Sequence, residues 1–368
     1  MRRTGFQPVS RFTLVARCLV TLQPKEMGNL PNILQVIPNQ EKDRLVEAAL
    51  GLPESTVFDL EPILRQPLPG LHHRTRAFIK VQDGCDNACT FCVTTVARGA
   101  GRSRPLEKVV GEIRYALAGG TREIVLTGVH LGSWGGEWGR HLRDLVRAIL
   151  EQTDPPRLRL SSLEPWDLDA DFFRLFDDPR LMPHLHLPLQ SGSESTLKRM
   201  ARKTTPASFR RLVEAARQVI PAAAITTDVI AGFPGETEAE FTETLDFVRG
   251  MDFAGGHVFT YSARPFTAAG KMKGQVSSEV RKKRNAILRG AFEESAQAYR
   301  EKFVGKRMKV LWESVTELDE WGWQMEGWTE NYLRVRAACS SPRWNEVDEV
   351  ELTGTAGDTL RGVIRDSG

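Results

Sequence analysis

No apolar run in the sequence is long enough to cross a membrane, which excludes a helical span within these residues. Cysteine is scarce: there are five in 368 residues, three of them between positions 85 and 92. An odd, clustered set of this kind excludes a disulfide framework and favours reduced thiols in a cytoplasmic setting. Charge of one sign is also lacking, since 50 Lys and Arg stand against 47 Asp and Glu for a net +3. No global field therefore draws in a polyanion, and any RNA partner has to be argued from local features. The start, Met1, Arg2 and Arg3 followed by the apolar stretch Phe12 to Leu22, has the outline of a secretion signal. Arg17 interrupts it, however, and no small-residue cleavage pattern follows before Pro24. Hydrophobic residues make up 41% of the chain, which excludes a disordered polymer and suffices for one large domain with smaller appendages.

From Ala77 onward, short apolar runs alternate with amphipathic helical patterns, the signature of repeated strand–helix units around a parallel sheet. Strands are expected at Ala77–Val81, Glu123–Leu126, Leu158–Ser161, His184–Pro188, Ile225–Ile230 and His257–Tyr261. Between them, Leu106, Val109, Val110, Ile113 and Leu117 recur at helical spacing, as do Leu142, Leu145, Val146 and Ile149. About six units predict an α/β fold with an incomplete barrel rather than a full eightfold one. A long helix over Val280–Phe303, with the basic run Arg281–Arg284 near its start, closes the pattern. From Gly305, short alternating strands such as Met308–Trp312, Tyr332–Val335 and Glu349–Leu352 predict a small all-β module. Before Ala77 only Lys42–Leu50 reads as helix, and Pro62, Pro67, Pro69 and Gly70 mark a linker.

Cys85, Cys89 and Cys92 follow the first strand at C-x3-C-x2-C spacing, in a loop at the C-terminal mouth where barrels place their chemistry. Thiolates are soft anionic ligands for an iron–sulfur cluster or for zinc. Three cysteines on a four-iron cubane leave one iron open to the amino and carboxylate groups of S-adenosylmethionine (SAM). A structural zinc would want four ligands, and no second CxxC or nearby His completes such a set. Three cysteines serving only as core packing is the remaining reading, although so dense a set of thiols rarely arises from packing alone.

Several stretches carry a resemblance: Val81–Cys92 (VQDGCDNACTFC), Arg98–Arg104 (RGAGRSR), Leu185–Ser193 (LHLPLQSGS) and Thr227–Thr237 (TDVIAGFPGET). Together they resemble the radical SAM superfamily, and more narrowly the methylthiotransferases that modify tRNA or a ribosomal protein. Thr127–Gly132 (TGVHLG) and Ser161–Asp167 (SSLEPWD) look like the branch acting on threonylcarbamoyladenosine beside the tRNA anticodon. The resemblance implies a 4Fe–4S cluster on Cys85, Cys89 and Cys92, SAM as cofactor, the tRNA anticodon region as substrate and a low-potential electron donor. It further implies reductive cleavage of SAM, hydrogen abstraction at carbon two of the adenine, and installation of sulfur and a methyl group. Sister branches acting on isopentenyladenosine or a ribosomal protein are the enzymatic alternatives, and a non-catalytic tRNA-binding remnant is the third.

The sulfur step in this family uses an auxiliary cluster on three cysteines of an N-terminal domain. Leu14–Pro24 (LVARCLVTLQP) resembles the tail of that domain, with Cys18 at the third ligand position and no cysteine before it. The expectation is therefore a truncated remnant and linker over 1–70, a radical SAM core over 71–304 and a tRNA-holding module resembling the TRAM domain over 305–368. Glu326–Val335 (EGWTENYLRV) carries that last resemblance. On coordination grounds, one thiol does not hold an auxiliary cluster, which places sulfur transfer in question.

Further cofactor contacts are expected where polar or glycine residues follow strands: Gly128, Glu164, Gln190, Ser191, Gly232 and Gly235. Arg202 is a candidate for the SAM carboxylate because guanidinium binds carboxylate through two prongs, although Lys198, Arg199 and Lys203 suggest a solvated basic face. Asp228 lies inside an apolar strand and needs a partner, while His184 and His186 share one strand face and are expected to line a cavity. Five of the eight tryptophans fall in the C-terminal module, yet from Lys306 onward eight basic residues face twelve acidic ones. Phosphate binding wants the opposite sign, so RNA contact is expected from Arg98, Arg102 and Arg104 and from the Arg281–Arg284 run.

Overall fold

The structure is a computed structural model describing residues 12–14, 25–26, 29, 33–37 and 75–365. Near the start, β1 (Phe12–Leu14) and β2 (Ile33–Val36) pair in parallel. Cys18, the helix expected over Lys42–Leu50 and most of the 1–70 segment lie outside the described residues.

Six parallel strands follow in two sheets of three. The first holds β3 (Arg76–Lys80), flanked by the short pair β4 (Gln82–Asp83) and β5 (Arg102–Ser103), which brackets helix α1 (Thr94–Arg98). After α2 (Leu106–Ala118), β6 (Glu123–Thr127) pairs with β3, and after α3 (Leu142–Gln152), β7 (Arg157–Leu160) pairs with β6. Short α4 (Ala170–Phe173) leads to β8 (His184–His186), and the chain continues through α5 (Glu194–Arg199), α6 (Pro206–Val219), β9 (Ala224–Ala231), α7 (Glu238–Arg249) and β10 (Gly255–Thr260). A bridge between Leu158 and Leu181 joins the two sheets, with Met182 N donating to Leu158 O at 2.8 Å. The outcome is the expected partial barrel of six strand–helix units, open between the edge strands β3 and β10.

Strand alternation explains the core. Ile79, Ile124, Leu126, Leu158, Leu160, Leu185, Leu187, Ile225 and Val229 face outward onto the helices and are buried against Val109, Ile113, Leu145, Ile149, Phe209 and Val248. Each such side chain contributes about 1.5–3 kcal/mol by leaving water. The residues between them, Glu123, Arg157, Arg159, His184, His186 and Asp228, point into the lumen, which is therefore polar. The helices start where the sequence supplies caps: Thr205 accepts from Ser208 N ahead of α6, and Thr237 accepts from Glu240 N ahead of α7.

Helix α8 (Ser278–Glu301) begins two residues earlier than its periodicity suggests, because the Ser277 hydroxyl caps it by accepting from Val280 N. The chain then forms a closed barrel in the order β11-β12-β13-β15-β14, from β11 (Arg307–Asp319), β12 (Gly322–Thr329), β13 (Arg334–Cys339), β14 (Val347–Ala356) and β15 (Thr359–Ile364). Val310, Trp312, Met325, Val335, Val350, Leu352 and Leu360 fill it. Tyr332, expected to start a strand, instead sits in the turn before β13 with a left-handed φ of 63°.

That turn plugs the bottom of the larger barrel. Arg157 donates to the Trp328 and Thr329 carbonyls at 3.1 and 2.8 Å, and Asn331 Nδ2 donates to the Tyr299 hydroxyl at 3.0 Å. The Tyr332 ring stacks between His184 and Trp328, each at 4.6 Å, with the Arg159 guanidinium 4.6 Å above it. Arg76, Glu123, Arg157 and His184 each begin a strand, so the all-β module floors the barrel at the end opposite the cysteine loop.

Candidate active site at the mouth of the barrel

The cysteine loop leaves β4 through Gly84, whose φ of +74° suits glycine and where an added Cβ would lie 1.9 Å from the Ala100 carbonyl oxygen. Cys85 N donates to Gly99 O at 3.1 Å, and the Thr95 hydroxyl donates to the carbonyls of Cys85 and Asn87. Thr90, between the second and third thiols, donates from its backbone N to Met200 O at 3.1 Å and from its hydroxyl to Arg199 O at 2.9 Å. These bonds fix the backbone of the loop from both sides. Cys85 and Cys89 are half-buried and Cys92 is exposed. The thiol side chains turn to separate neighbours: Cys85 Sγ accepts from Asn87 N, Cys92 Sγ donates to the Thr94 hydroxyl at 3.0 Å, and Arg202 Nη1 lies 3.8 Å from Cys89 Sγ. Among the described residues, no three His, Cys, Asp or Glu side chains converge as a metal cage.

Positive charge stands beside this loop. Burial works against ionising Cys85, yet hydrogen bonds from His130 and Asn87 win and lower its pKa. Burial raises the pKa of Cys89, and the Arg202 guanidinium opposes it without overcoming it. Burial likewise works against a charge on His130, but its contacts with Asp167 and Cys85 raise its pKa to about 9. His130 Nε2 lies 2.6 Å from Asp167 Oδ2 and its Nδ1 lies 3.3 Å from Asn87 Nδ2. Gln82 braces the same corner: its Nε2 donates to the carbonyls of Asp83 and Gly84, and its Oε1 accepts from His130 N at 2.8 Å. Gln82, His130 and Asp167 were not singled out from the sequence. The one signal they gave was membership of the stretches VQDGC, TGVHLG and SSLEPWD.

The expected cofactor contacts divide. Gly128, where an added Cβ would lie 3.1 Å from Gln82 Cβ, and Glu164 both stand at the mouth. Arg202 also lies there, but it is committed: it forks onto Glu164 at 3.1 and 2.6 Å, donates to Pro188 O at 2.7 Å and lies 4.5 Å from the Trp166 ring. The solvated basic face expected around it is corrected at this position, since Arg202 is only 9% exposed. Asp228 Oδ2 lies 3.3 Å from His186 Nε2 in the lumen beneath the mouth, while its Oδ1 is buried without a hydrogen bond among the described residues. Gln190 holds a left-handed φ of 72° and bridges to β9, with its N donating to Asp228 O at 2.7 Å.

Ser191 is a correction. After Gln190, with its left-handed φ, the Ser191 hydroxyl is fully buried against the Thr244 hydroxyl of α7 at 3.0 Å. Gly232 and Gly235 both have positive φ and serve turn geometry, Gly232 N donating to Glu236 Oε2 and Gly235 N to Gly274 O. The basic stretches expected to meet RNA are corrected as well. Arg98 pairs with Asp83 at 3.0 Å and Arg104 with Glu112 at 2.6 Å, while Arg284 is buried on Glu236 at 2.8 Å. Carboxylates neutralise these three cations, whereas Lys282 and Lys283 of the same run as Arg284 stay exposed without an ion pair to a described residue, and Arg281 donates to Tyr261 O.

A sequence model of the Radical SAM superfamily matches residues 79–248, from β3 to the end of α7. The threonylcarbamoyladenosine tRNA methylthiotransferase MtaB of Thermotoga maritima is 39% identical over 304 residues, 81% of this chain and 70% of that one. The chain belongs to the radical SAM methylthiotransferases. The MtaB protein of Bacillus subtilis is 33% identical over 354 residues, 91% of this chain and 77% of its own length. The tRNA-2-methylthio-N(6)-dimethylallyladenosine synthase of Cereibacter sphaeroides is 38% identical over 340 residues, 92% and 75% of the two chains. Among solved structures, the radical SAM methyltransferase TsrM from Kitasatospora setae is 21% identical with a TM-score of 0.46, covering 53% of this chain and 38% of that one.

The cofactors of this radical SAM enzyme are a 4Fe–4S cluster and SAM. The residues at the mouth fit such a group: three soft thiols sit in one loop held by backbone bonds, with hydrogen bonds from His130 and Asn87 favouring the Cys85 thiolate and Arg202 Nη1 3.8 Å from Cys89 Sγ. No helix among the described residues is long and apolar enough to cross a membrane.

Proposed function

We propose that this methylthiotransferase acts on tRNA, at the adenosine beside the anticodon that carries the threonylcarbamoyl group. The observation that carries the reading is the 39% identity to the Thermotoga maritima MtaB protein over 81% of this chain. The TGVHLG and SSLEPWD stretches support it, because His130 and Asp167 from those two stretches meet beside Cys85.

In this reading Cys85, Cys89 and Cys92 hold the cluster and leave its fourth iron to SAM. When bound, the pair supplies reductive cleavage of SAM, with the electron coming from a low-potential donor. The chain's own residues then have three tasks. Gly84 and the Thr90 and Thr95 hydrogen bonds hold the thiols at the mouth. Glu164, whose side chain is 21% exposed although Arg202 grips it, presents a carboxylate to the bound cofactor. The C-terminal module closes the barrel from below, so substrate enters from the cysteine side, and its resemblance to a TRAM domain supports a share in holding tRNA. The protein divides in this reading near residues 71 and 305.

Nucleosides from a strain lacking the gene, and from the same strain complemented with it, test the reading by mass spectrometry of digested tRNA. Loss of the methylthio-threonylcarbamoyl nucleoside from the strain lacking the gene is expected and an unchanged level there rejects the reading, while its return on complementation reads separately whether this chain completes sulfur transfer. The 38% identity to the dimethylallyladenosine enzyme of Cereibacter sphaeroides favours a second target, which the same digest detects as a methylthio-isopentenyl nucleoside.

A further inference from the structure

The segment between β10 and α8 has two properties that neither the fold nor the cofactor chemistry requires. The first is charge. From Phe253 to Ser278 there is no Asp or Glu, while Arg264, Lys271 and Lys273 all fall within it. All three are exposed, and none makes an ion pair with a described residue. Arg98, Arg104 and Arg284 differ, since carboxylates neutralise them, and Lys282 and Lys283 at the start of α8 extend the unpaired set. The second is Phe266. Its φ is +66°, a genuine outlier for an aromatic residue, and its side chain is 58% exposed. An apolar ring is held in an unfavourable backbone conformation and gains little burial in return.

Disorder does not explain this exposure, because the residues around Phe266 are anchored. Thr267 and Ala269 are buried, the Thr267 hydroxyl donates to Arg264 O at 2.7 Å, and Gln275 Nε2 donates to the Ala269 and Met272 carbonyls. The segment is tied to the mouth on two sides: Ala269 N donates to Thr90 O at 2.9 Å inside the cysteine loop, and Gly274 O accepts from Gly235 N at 2.8 Å. Phe266 and three uncompensated cations therefore stand on a rigid strap beside the thiols.

We propose that this strap, residues 262–275, is a docking platform for single-stranded RNA at the rim of the mouth. Phe266 stacks on an unpaired base flanking the target nucleotide, and Arg264, Lys271 and Lys273 take the neighbouring phosphates. An aromatic face beside a row of cations is the chemistry by which unpaired nucleic acid is held without sequence readout. The acidic C-terminal module, with eight basic against twelve acidic residues, is less suited to the phosphates closest to the reaction. The inference rests on the tRNA reading above and deepens it by naming where the loop of the substrate sits.

The test uses the full chain with its cluster reconstituted and a fluorescently labelled anticodon stem-loop RNA. Phe266→Gly removes the ring and relieves the backbone, so RNA affinity falls about tenfold while the thermal midpoint stays level or rises. Phe266→Leu keeps an apolar side chain without an aromatic face and weakens binding in the same direction. Replacing Arg264, Lys271 and Lys273 together by Ala lowers the slope of log affinity against log salt by about two. SAM cleavage without RNA stays unchanged in every variant. If the wild type binds the RNA and these variants bind within twofold of it, the platform is overturned and the tRNA reading stands. If the wild type binds no RNA at all, both fall. Loss of affinity with a parallel loss of stability in both Phe266 variants also overturns the proposal, since the ring is then a packing element.

Discussion

The His184 imidazole lies flat on the Tyr332 ring, with centroids 4.6 Å apart and planes 27° from parallel. The two residues are 148 positions apart in sequence and belong to different barrels. Their stack is the centre of a seal in which Arg76, Glu123, Arg157 and Arg159 also take part, and Arg76 additionally pairs with Glu313 of the all-β module. Glu123 and both of its arginine partners are almost wholly buried, and burial alone would raise the Glu123 pKa. The Arg159 and Arg157 charges reverse that and hold the carboxyl below its usual range. A barrel lumen lined with charge at its lower end thus depends on the module beneath it to keep water out.

Removing the stacked ring is expected to loosen that floor. Tyr332→Ala forfeits two aromatic stacks and a partly buried hydroxyl partner of Arg76, which places the loss at about 3 kcal/mol. Some of this is returned, because Ala is no better suited than Tyr to φ 63° but Gly is; Tyr332→Gly is expected to cost less than Tyr332→Ala. Urea unfolding of the three proteins measures both differences, and equal stability of all three would show that the stack contributes nothing.

His184 also predicts a pH dependence. Burial, aided by the Arg159 charge and by His186, holds its pKa well below the ordinary histidine value, so the folded protein keeps it neutral. In the unfolded chain it takes a proton below about pH 6.5, so the unfolded state binds more protons and stability falls as pH drops through that value. From pH 6.5 to 5.5 the slope approaches about 1.4 kcal/mol per unit for this one group. His184→Phe keeps a flat ring against Tyr332 and removes the proton site. The stability difference between wild type and His184→Phe, followed from pH 7.5 to 5.5, should therefore shift in favour of the variant as pH falls. Comparing the two proteins cancels the other titrating groups, and a constant difference contradicts the neutral assignment.

The barrel and its cysteine loop were legible in the sequence because both are local. Strand–helix alternation sets the six units, and three thiols within eight residues need no tertiary information. What escaped was long-range pairing. Arg202 reads as one of four neighbouring cations, and only the fold reveals Glu164, 38 positions away, filling its fork. His130 and Asp167, 37 positions apart, meet because consecutive strands end at the same rim. Ser191 follows a strand as a site residue should, but the left-handed Gln190 before it turns the hydroxyl into the α7 packing. The charge runs failed in part for the same reason: a sequence displays a cation without its counterion, and Arg284 sits on Glu236 and Glu238 while its neighbours Lys282 and Lys283 stay exposed.

The Glu164–Arg202 fork yields a prediction about which partner is needed more. The Arg202 side chain is 1% exposed and that of Glu164 is 21% exposed, so the guanidinium is the group that suffers when the pair breaks. Glu164→Ala leaves a buried cation with the Pro188 carbonyl, Cys89 and the Trp166 ring but no carboxylate, at an expected cost of about 3 kcal/mol. Glu164→Gln retains an acceptor for one prong and costs less, while Arg202→Lys loses the two-pronged geometry and falls between them. Thermal unfolding ranks the three, and a Glu164→Ala protein as stable as wild type rules out a structural role for the fork.

Gly84 separates holding the cluster from holding the fold. An alanine there meets the Ala100 carbonyl and a positive φ, so the chain on either side has to shift. That shift falls on the hydrogen bond from Cys85 N to Gly99 O, which sets the position of the first thiol, and not on the strands, whose outward faces pack against helices elsewhere. Gly84→Ala is therefore expected to keep far-ultraviolet circular dichroism close to wild type while iron and sulfide per chain after anaerobic reconstitution fall several-fold. Cys85→Ala, Cys89→Ala and Cys92→Ala should each show the same separation with a deeper loss of iron, because three thiols are the fewest that leave a cubane with a single open iron. Full iron loading in a cysteine variant would show that this thiol is not a ligand. A Gly84→Ala protein that loses helix signal together with iron would show that the loop is part of the folding core, contrary to the position the hydrogen bonds give it.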